Sequence, residues 1–222
     1  MIKAVIFDVD GTLVDSVDLH AKAWQEAFLE FGKTIDFKTV REQIGKGGDQ
    51  LLPTFLTKAE IEEYGEQLTE FRGEHFKKNY IDQIKAFAKV RDLFKIIKAS
   101  GKKIAIGTSA KKDELSHYLK VAKIDDLVDV KTSADDVEKS KPFPDIFAVA
   151  LDKLNLPPEN VVVIGDSPYD AEAASKIDLL AIGFLCGGNS ADVLRGAGAT
   201  TIYDGPEDLF NNFTQSALAA PH

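Results

Sequence analysis

Two acidic residues, Asp8 and Asp10, follow the first apolar run of the chain, residues 4–7, and Gly11 comes directly after them. A short apolar run predicts a buried strand, and alternate side chains of a strand share one face. Both carboxylates can therefore point the same way, although they repel each other. A fold keeps such a pair where a cation binds or a proton is transferred. On these two residues alone, a strand that ends in a polar turn explains the pattern equally well.

Three further polar clusters fall at the ends of predicted strands or in the loops between elements. They are Thr108-Ser109 after the predicted strand 104–107, Lys141 in the loop 140–145, and Asp166 with Asp170 after the predicted strand 161–164. Parallel strands bind ligands at their carboxyl ends. Taken singly, the hydroxyls and acids could cap helices, and the lysine could be a solvated loop residue. Clustered acids without histidine or cysteine favour Mg²⁺ over zinc.

Together these residues supply what phosphoryl transfer requires, namely a nucleophile, positive charge near the phosphoryl oxygens and a proton donor. Asp8 can attack phosphorus and form an aspartyl-phosphate. Asp10 can then give a proton to the leaving oxygen and later take one from water. We expect the neighbouring acid and desolvation to keep Asp10 protonated when it must act as an acid.

The stretch from Asp8 to Ser16, Asp-Val-Asp-Gly-Thr-Leu-Val-Asp-Ser, resembles the first motif of the haloacid dehalogenase superfamily. The later clusters follow in the order typical of that superfamily, so the resemblance covers nearly the whole chain. It points to the group of helical-cap phosphatases and β-phosphoglucomutase-like enzymes. It implies an α/β fold, with a doubly wound, Rossmann-like parallel-sheet core and an inserted all-helical cap.

The resemblance also implies a role for each residue of the clusters. Asp8 is the nucleophile and a metal ligand, and Asp10 is the general acid/base, which lends its backbone carbonyl to Mg²⁺. Thr108 hydrogen-bonds the phosphoryl group together with the backbone amide of Ser109. Lys141 steadies the phosphate and the nucleophile. Asp166 binds Mg²⁺, and Asp170 supports the metal. True dehalogenases carry a different residue in place of Asp10, so its presence indicates phosphate chemistry.

The elements that position these residues alternate between strands and helices in the second part of the chain, which favours a parallel sheet covered on both faces. Helical patterns at 19–31, 37–44, 49–55 and 58–79 interrupt that alternation. We therefore predict a core domain of residues 1–14 and 85–222 and a helical cap of residues 15–84. Hinges are expected near 14–17 and 84–87, and the last helix is predicted over 206–218.

Two residues of the predicted cap are candidate substrate contacts. Lys46 lies between glycines in Gly45-Lys46-Gly47-Gly48, where it can reach a distal anionic group or simply be solvated. The loop lacks the spacing of a nucleotide P-loop. His20 lies one helical turn before Trp24, and it can either pack there or contact the substrate.

Composition limits the classes of function. The chain has 222 residues, a net charge of −9 and a single cysteine. The negative charge argues against a nucleic-acid groove, and a lone cysteine excludes an internal disulfide. No apolar run reaches transmembrane length, so we expect a cytoplasmic protein without membrane contacts, a monomer or a weak homodimer.

These observations predict a Mg²⁺-dependent phosphatase that hydrolyses a small phosphorylated metabolite, such as a sugar phosphate or a phosphoglycolate-like compound. The alternative is a phosphomutase of the β-phosphoglucomutase type, whose members usually carry an acid where this chain has Gly165. A third possibility is a non-catalytic binding protein with the same fold. Intact, unpaired acids argue against that third possibility.

Overall fold

The computed structural model describes residues 1–219 and contains a six-stranded parallel sheet in the order β5-β4-β1-β6-β7-β8. The strands are β1 (Ala4–Phe7), β2 (Val14–Asp15), β3 (Lys85–Ala86), β4 (Lys103–Gly107), β5 (Val130–Thr132), β6 (Val161–Gly165), β7 (Leu180–Phe184) and β8 (Ala199–Tyr203). Strands β2 and β3 form a separate antiparallel ribbon. The order, with β1 at the centre and the chain winding outward in both directions, confirms the predicted α/β class.

Helices cover both faces of the sheet and also form a separate group before β3. They are α1 (Val17–Glu30), α2 (Phe37–Arg41), α3 (Gly48–Phe55), α4 (Lys58–Asn79), α5 (Val90–Ala99), α6 (Lys112–Val121), α7 (Asp145–Leu154), α8 (Pro168–Ser175), α9 (Ala191–Gly196) and α10 (Pro206–Asn211). Among residues 1–219, no helix combines the length and the apolar character needed to cross a bilayer.

Strand β1 is buried on both faces, as its continuous apolar run predicts. Val5 and Phe7 face an apolar cluster built largely from α5 and α6. Ala4 and Ile6 face a second cluster built largely from α7 and α8. Burial of alternate residues against opposite layers fixes the register of β1, because a slip by one residue would exchange the two faces.

Helices α1 to α4, here called the helical insert (residues 17–79), have an apolar cluster of their own, which includes Trp24, Phe28 and Leu68. Phe76 at the end of α4 belongs instead to the cluster on the sheet. The chain enters and leaves the insert through the β2–β3 ribbon, close to both predicted hinges. These two-residue strands are too short to show a period, so the sequence did not reveal them. The boundaries 15–84 and the hinge motion stay predictions.

Two sequence-based helix boundaries were wrong. The last helix ends at Asn211 rather than 218, and a short 3-10 turn, Phe213–Gln215, follows it. Phe213 and Leu218 are apolar because they pack against the sheet, not because they continue a helix. The helix predicted over 37–44 ends at Arg41. Residues 42–47 form instead a loop whose last members line the cavity described below.

Candidate active site

Three neighbouring strands end at the same level, and this places the predicted residues together. Phe7 at the end of β1 pairs with Ile106 of β4 on one side and with Ile164 of β6 on the other. Asp8 follows directly, and its backbone N–H donates to the carbonyl of Ile164 at 2.9 Å. Because β4 and β6 each extend one glycine further, Thr108 and Asp166 leave the sheet beside Asp8.

A single buried lysine, Lys141, links two of the acids. Its ammonium donates to Oδ1 of Asp8 at 2.5 Å and to Oδ1 of Asp170 at 2.8 Å. All three side chains are almost completely buried. Burial alone would lower the pKa of Lys141, but the two carboxylates outweigh it and raise the pKa above its usual value. The lysine is therefore a permanent positive charge beside the predicted nucleophile.

A shared hydroxyl connects Asp8 to Asp166. Thr12 Oγ1 lies 3.1 Å from Oδ2 of Asp8 and 2.9 Å from Oδ1 of Asp166. A hydroxyl carries one proton, so it can donate to only one of these carboxylates. Burial raises the pKa of Asp8 to about 7, although Lys141 opposes the shift. Burial, followed by repulsion from Asp8, raises the pKa of Asp166 as well. In this arrangement the two acids retain a proton that a cation could replace.

Oxygen atoms of Asp8, Asp166 and Asp170 lie within 4.8 Å of one another. One lysine accompanies three acids, and the chemistry of the donor set suits a hard divalent cation such as Mg²⁺. The acids are not equivalent. Oδ2 of Asp170 accepts from the backbone N–H and hydroxyl of Ser167 at 3.1 and 2.6 Å, while Oδ1 binds Lys141. Asp170 is thus already hydrogen-bonded, which leaves Asp8 and Asp166 as the acids best able to bind an ion.

Two glycines pack against Asp166. A Cβ atom on Gly187 would lie 1.7 Å from Oδ2 of Asp166, and one on Gly11 would lie 2.4 Å from the same oxygen. Gly11 also has a φ of +79°, which disfavours other residues. Side chains at these two positions would therefore displace the carboxylate. Sequence reasoning missed the role of Gly187, although it follows the end of β7 and so lies at the edge where ligands bind.

Asp10 points away from the three clustered acids and towards the helical insert. Its Oδ1 accepts from the Ser16 hydroxyl at 2.7 Å and from the His20 ring at 2.8 Å. Burial raises the pKa of Asp10, but these two donors outweigh it and hold the pKa below its usual value. The expectation that a neighbouring acid and desolvation keep Asp10 protonated is thus wrong here. The acids whose pKa is raised are Asp8 and Asp166, for which burial outweighs the donors Lys141 and Thr12.

His20 lies at a junction of the insert and the sheet domain. Besides Asp10, its ring contacts the guanidinium of Arg72 from α4 and lies 3.2 Å from the Tyr118 hydroxyl of α6. The ring stacks on Phe76 with 4.1 Å between ring centroids. The packing alternative left open by the sequence is therefore realised, and a contact of His20 with the substrate stays a prediction.

The two hydroxyl residues after β4 take different positions. Thr108 is fully buried, and its Oγ1 accepts from the backbone N–H of Ala110 at 3.1 Å. Ser109 lines the cavity beside Ala110, and its hydroxyl lies 3.5 Å from the carbonyl of Gly45.

A cavity of about 70 Å³ lies between this edge of the sheet and the insert. It is lined by Asp8, Asp10, His20, Trp24, Ile44, Gly45, Lys46, Gly47, Gly48, Arg72, Ser109, Ala110, Glu114 and Lys141. Lys46 donates to Oε1 of Gln43 at 2.6 Å and lies 4.8 Å from the ring centroid of Tyr169. Arg72 and Glu114 were not identified from the sequence, because each is one charged residue among several on its helix.

Gly165, where mutases of this type usually carry an acid, lies against Asp170. A Cβ atom on Gly165 would lie 2.4 to 2.5 Å from three atoms of the Asp170 side chain. An acid at position 165 therefore cannot coexist with Asp170 in its present position. The chain has one acid at the end of β6 and a second one turn into α8.

Comparisons with known proteins agree with this geometry. A curated phosphorylated carbohydrates phosphatase of Thermotoga maritima is 30% identical over 210 residues, which cover 94% of this chain and 97% of the relative. A phosphoglycolate phosphatase of Nitrosospira multiformis is 29% identical over 179 residues, 78% of each chain. The crystal structure of a hydrolase from Pseudomonas syringae superposes with a TM-score of 0.89 at 31% identity, covering 97% of this chain and 99% of that one.

The family description haloacid dehalogenase-like hydrolase matches residues 5–184, a span that begins in β1 and ends with β7. It includes Asp8, Thr108, Lys141 and Asp166, the residues that the strand ends bring together. The chain therefore belongs to the haloacid dehalogenase-like hydrolases.

Proposed function

We propose that the protein is a Mg²⁺-dependent phosphatase that hydrolyses small phosphorylated metabolites through an aspartyl-phosphate on Asp8. The observation that carries the proposal is the buried Asp8–Lys141–Asp170 arrangement, which adjoins Asp166 and opens into a cavity beneath the helical insert. A buried, charge-paired carboxylate at the wall of a cavity is suited to an anionic group that needs neutralisation.

In the first step, an oxygen of Asp8 attacks phosphorus and the bond from phosphorus to the ester oxygen breaks. Lys141 neutralises charge on Asp8 and on the phosphoryl oxygens, and the amides after β4 donate to those oxygens. Bound Mg²⁺, held by Asp8, Asp166 and the backbone carbonyl of Asp10 with support from Asp170, would supply positive charge that offsets the repulsion between the carboxylate and the phosphoryl group.

Asp10 acts as the general acid and then as the general base. When an anionic phosphoryl group enters beside it, the pKa of Asp10 rises, so the residue can carry a proton to the departing oxygen. In the second step Asp10 takes a proton from water, the water oxygen attacks phosphorus and the bond to Asp8 breaks. Inorganic phosphate leaves and the Asp8 carboxylate is restored. The donors Ser16 and His20 favour the ionised form that this second step requires.

Small phosphorylated metabolites are proposed as substrates because two relatives of this chain are a phosphatase of phosphorylated carbohydrates and a phosphoglycolate phosphatase. A phosphomutase is disfavoured because a side chain at position 165 would collide with Asp170. A non-catalytic binding protein is disfavoured because three buried acids with a single lysine are costly unless a cation or a substrate uses them.

The test is phosphate release from a panel of monophosphates, with and without Mg²⁺, by wild-type protein and Asp8→Asn. The panel holds glycerol phosphate, hexose phosphates, phosphoglycolate, a nucleoside monophosphate and an aryl phosphate. Asparagine keeps the shape but is a very poor nucleophile, so kcat should fall about 10⁴-fold or more. Asp15→Asn, at an exposed acid of β2, is the matched control and should retain activity. Metal-independent release, or release that survives Asp8→Asn, would refute the proposal.

A further inference from the structure

Besides the acids and Lys141, the lining of the cavity contains an arginine and a glutamate from different parts of the fold. Arg72 comes from α4 of the insert and Glu114 from α6 of the sheet domain, and both line the same cavity as Asp8. Their side chains are only 14% and 5% exposed. Buried charges of this kind are usually retained where they are paired or where they bind something.

The two charges are close, but they are not hydrogen-bonded to each other. Nη1 of Arg72 lies 3.8 Å from Oε1 of Glu114, beyond hydrogen-bond distance. Nε of Arg72 is buried and finds no partner among residues 1–219. The guanidinium is held in place by the rings of Trp24 and Phe76, at 5.2 and 4.9 Å from their centroids. The pair thus presents a fixed donor next to a fixed acceptor.

We propose that Arg72 and Glu114 bind hydroxyl groups, so that the enzyme selects monophosphates of polyols and sugars over monophosphates that carry a second anionic group. A hydroxyl both donates and accepts, so it can satisfy Glu114 and Arg72 together. A carboxylate would gain from Arg72 but would be repelled by Glu114. This inference rests on the proposed phosphatase function and narrows its substrates.

Lys46 provides the competing interpretation. It also lines the cavity, and on its own it would favour a substrate with a second anion. Its ammonium already donates to Gln43 and lies over Tyr169, and desolvation lowers its pKa. The two interpretations predict opposite preferences between substrates with and without a second anionic group, so an experiment can distinguish them. The cavity of about 70 Å³ has the volume of only about two waters at liquid density. Short substrates are therefore the appropriate probes.

The experiment uses two compounds that differ at one carbon. Glycerol 3-phosphate ends in a hydroxymethyl group and 3-phosphoglycerate ends in a carboxylate. For the wild-type protein, kcat/KM should favour glycerol 3-phosphate by about tenfold or more. In parallel, calorimetry with Mg²⁺ on the Asp8→Asn protein measures the Kd of both compounds. The same preference should appear there, whether or not the protein turns either compound over.

Glu114→Gln keeps the size of the side chain but removes the charge, so the preference should fall about tenfold or reverse. Arg72→Gln should weaken the binding of both compounds, mainly as a higher KM. Arg72→Lys should restore less than half of that loss, because lysine lacks the planar fork of the guanidinium. The control is Asp113→Asn, an exposed neighbour of Glu114 that pairs with Lys77, which should leave the preference unchanged.

A wild-type preference for 3-phosphoglycerate, in kcat/KM or in Kd, would overturn the inference and favour the role of Lys46. So would a preference that Glu114→Gln leaves unchanged in protein with a normal Tm. Absence of phosphate release from every compound, including the aryl phosphate, would count against the proposed phosphatase. The Kd ratio would still decide the inference about Arg72 and Glu114.

Discussion

The two ends of the cavity are built by different means. At the phosphoryl end, Asp8, Lys141 and Asp166 lie on strands that end side by side or on the adjoining loops, and they are almost completely buried. At the distal end, Lys46 and Arg72 come from the helical insert. The proposed reacting groups are thus positioned by the sheet, whereas most of the groups proposed to meet the rest of the substrate can change without disturbing that sheet.

The two ends also differ in charge. Three acids accompany one lysine at the phosphoryl end, so acidic groups are in excess there before any cation binds. At the distal end, two cations face the single acid Glu114, which leaves one positive charge in excess. We therefore expect the reacting end to accept a phosphorylated compound only with the help of a cation.

The strongest test of this difference compares two lysines that line the same cavity. Lys141→Gln leaves buried acids without their partner, so the free energy of unfolding of metal-free protein should fall by about 3 kcal/mol. The kcat should fall about 10³-fold, because a preorganised charge at the phosphoryl group is lost. Denaturant unfolding and steady-state kinetics measure both effects.

Lys46→Gln is the matched change at the distal end, where the side chain is partly solvated. Its Tm should stay within about 2 °C of wild type, and its effect should fall on KM rather than on kcat. If both substitutions affected unfolding equally, the proposed division between a rigid reacting end and an adaptable distal end would be untenable.

A smaller effect is expected at the contact between the two ends. His20→Asn removes a donor from Asp10, so the pKa of Asp10 should rise. The alkaline limb of the kcat/KM profile, where Asp10 loses the proton that it gives to the leaving oxygen, should then move to higher pH. At neutral pH the loss in kcat should be about tenfold. Substitution of His75 by Asn, a partly exposed histidine of α4 paired with Glu26, provides the control. An unshifted profile would mean that His20 only packs.

The smallest expected effect is the pH dependence of the protein's stability in the absence of substrate. The pKa of Asp8 is raised from 3.8 to about 7, so the folded protein favours the protonated form. This contribution to stability is complete below about pH 3.8 and is lost as the pH rises through 7. The Tm of metal-free protein should therefore fall by about 2 °C or more between pH 5 and pH 8.

Mg²⁺ binding should show the opposite trend, because the cation displaces the proton. Below pH 7 the affinity should weaken about tenfold per pH unit if one proton is released. Calorimetry in buffers of different ionisation heat counts that proton. Lys46→Gln should leave the slope unchanged, since the proton belongs to the phosphoryl end. A pH-independent affinity would show that Asp8 is already ionised without metal.

The sequence predicted which residues of the phosphoryl end come together, because they have a local signature, and their roles stay predictions. Asp8, Thr108 and Asp166 each follow an apolar strand, and the carboxyl ends of neighbouring parallel strands must meet. The α/β class followed from the same alternation. The prediction that the final helix extends to 218 was wrong. Leu218 is apolar because it packs against the sheet, and no local sequence pattern records such a tertiary contact.

What the sequence by itself determined is the set of reacting groups and the sheet edge that holds them, since backbone geometry forces strand ends together. Only the tertiary structure brought together the charges that we propose to meet the other end of the substrate. Arg72 and Glu114 lie in helices that contain several other charged residues. Whether the two side chains come close depends on how the insert packs over the sheet. The direction of the Asp10 pKa shift was decided in the same way. A pKa responds to every donor and charge within a few ångströms, and His20 arrives there from the insert.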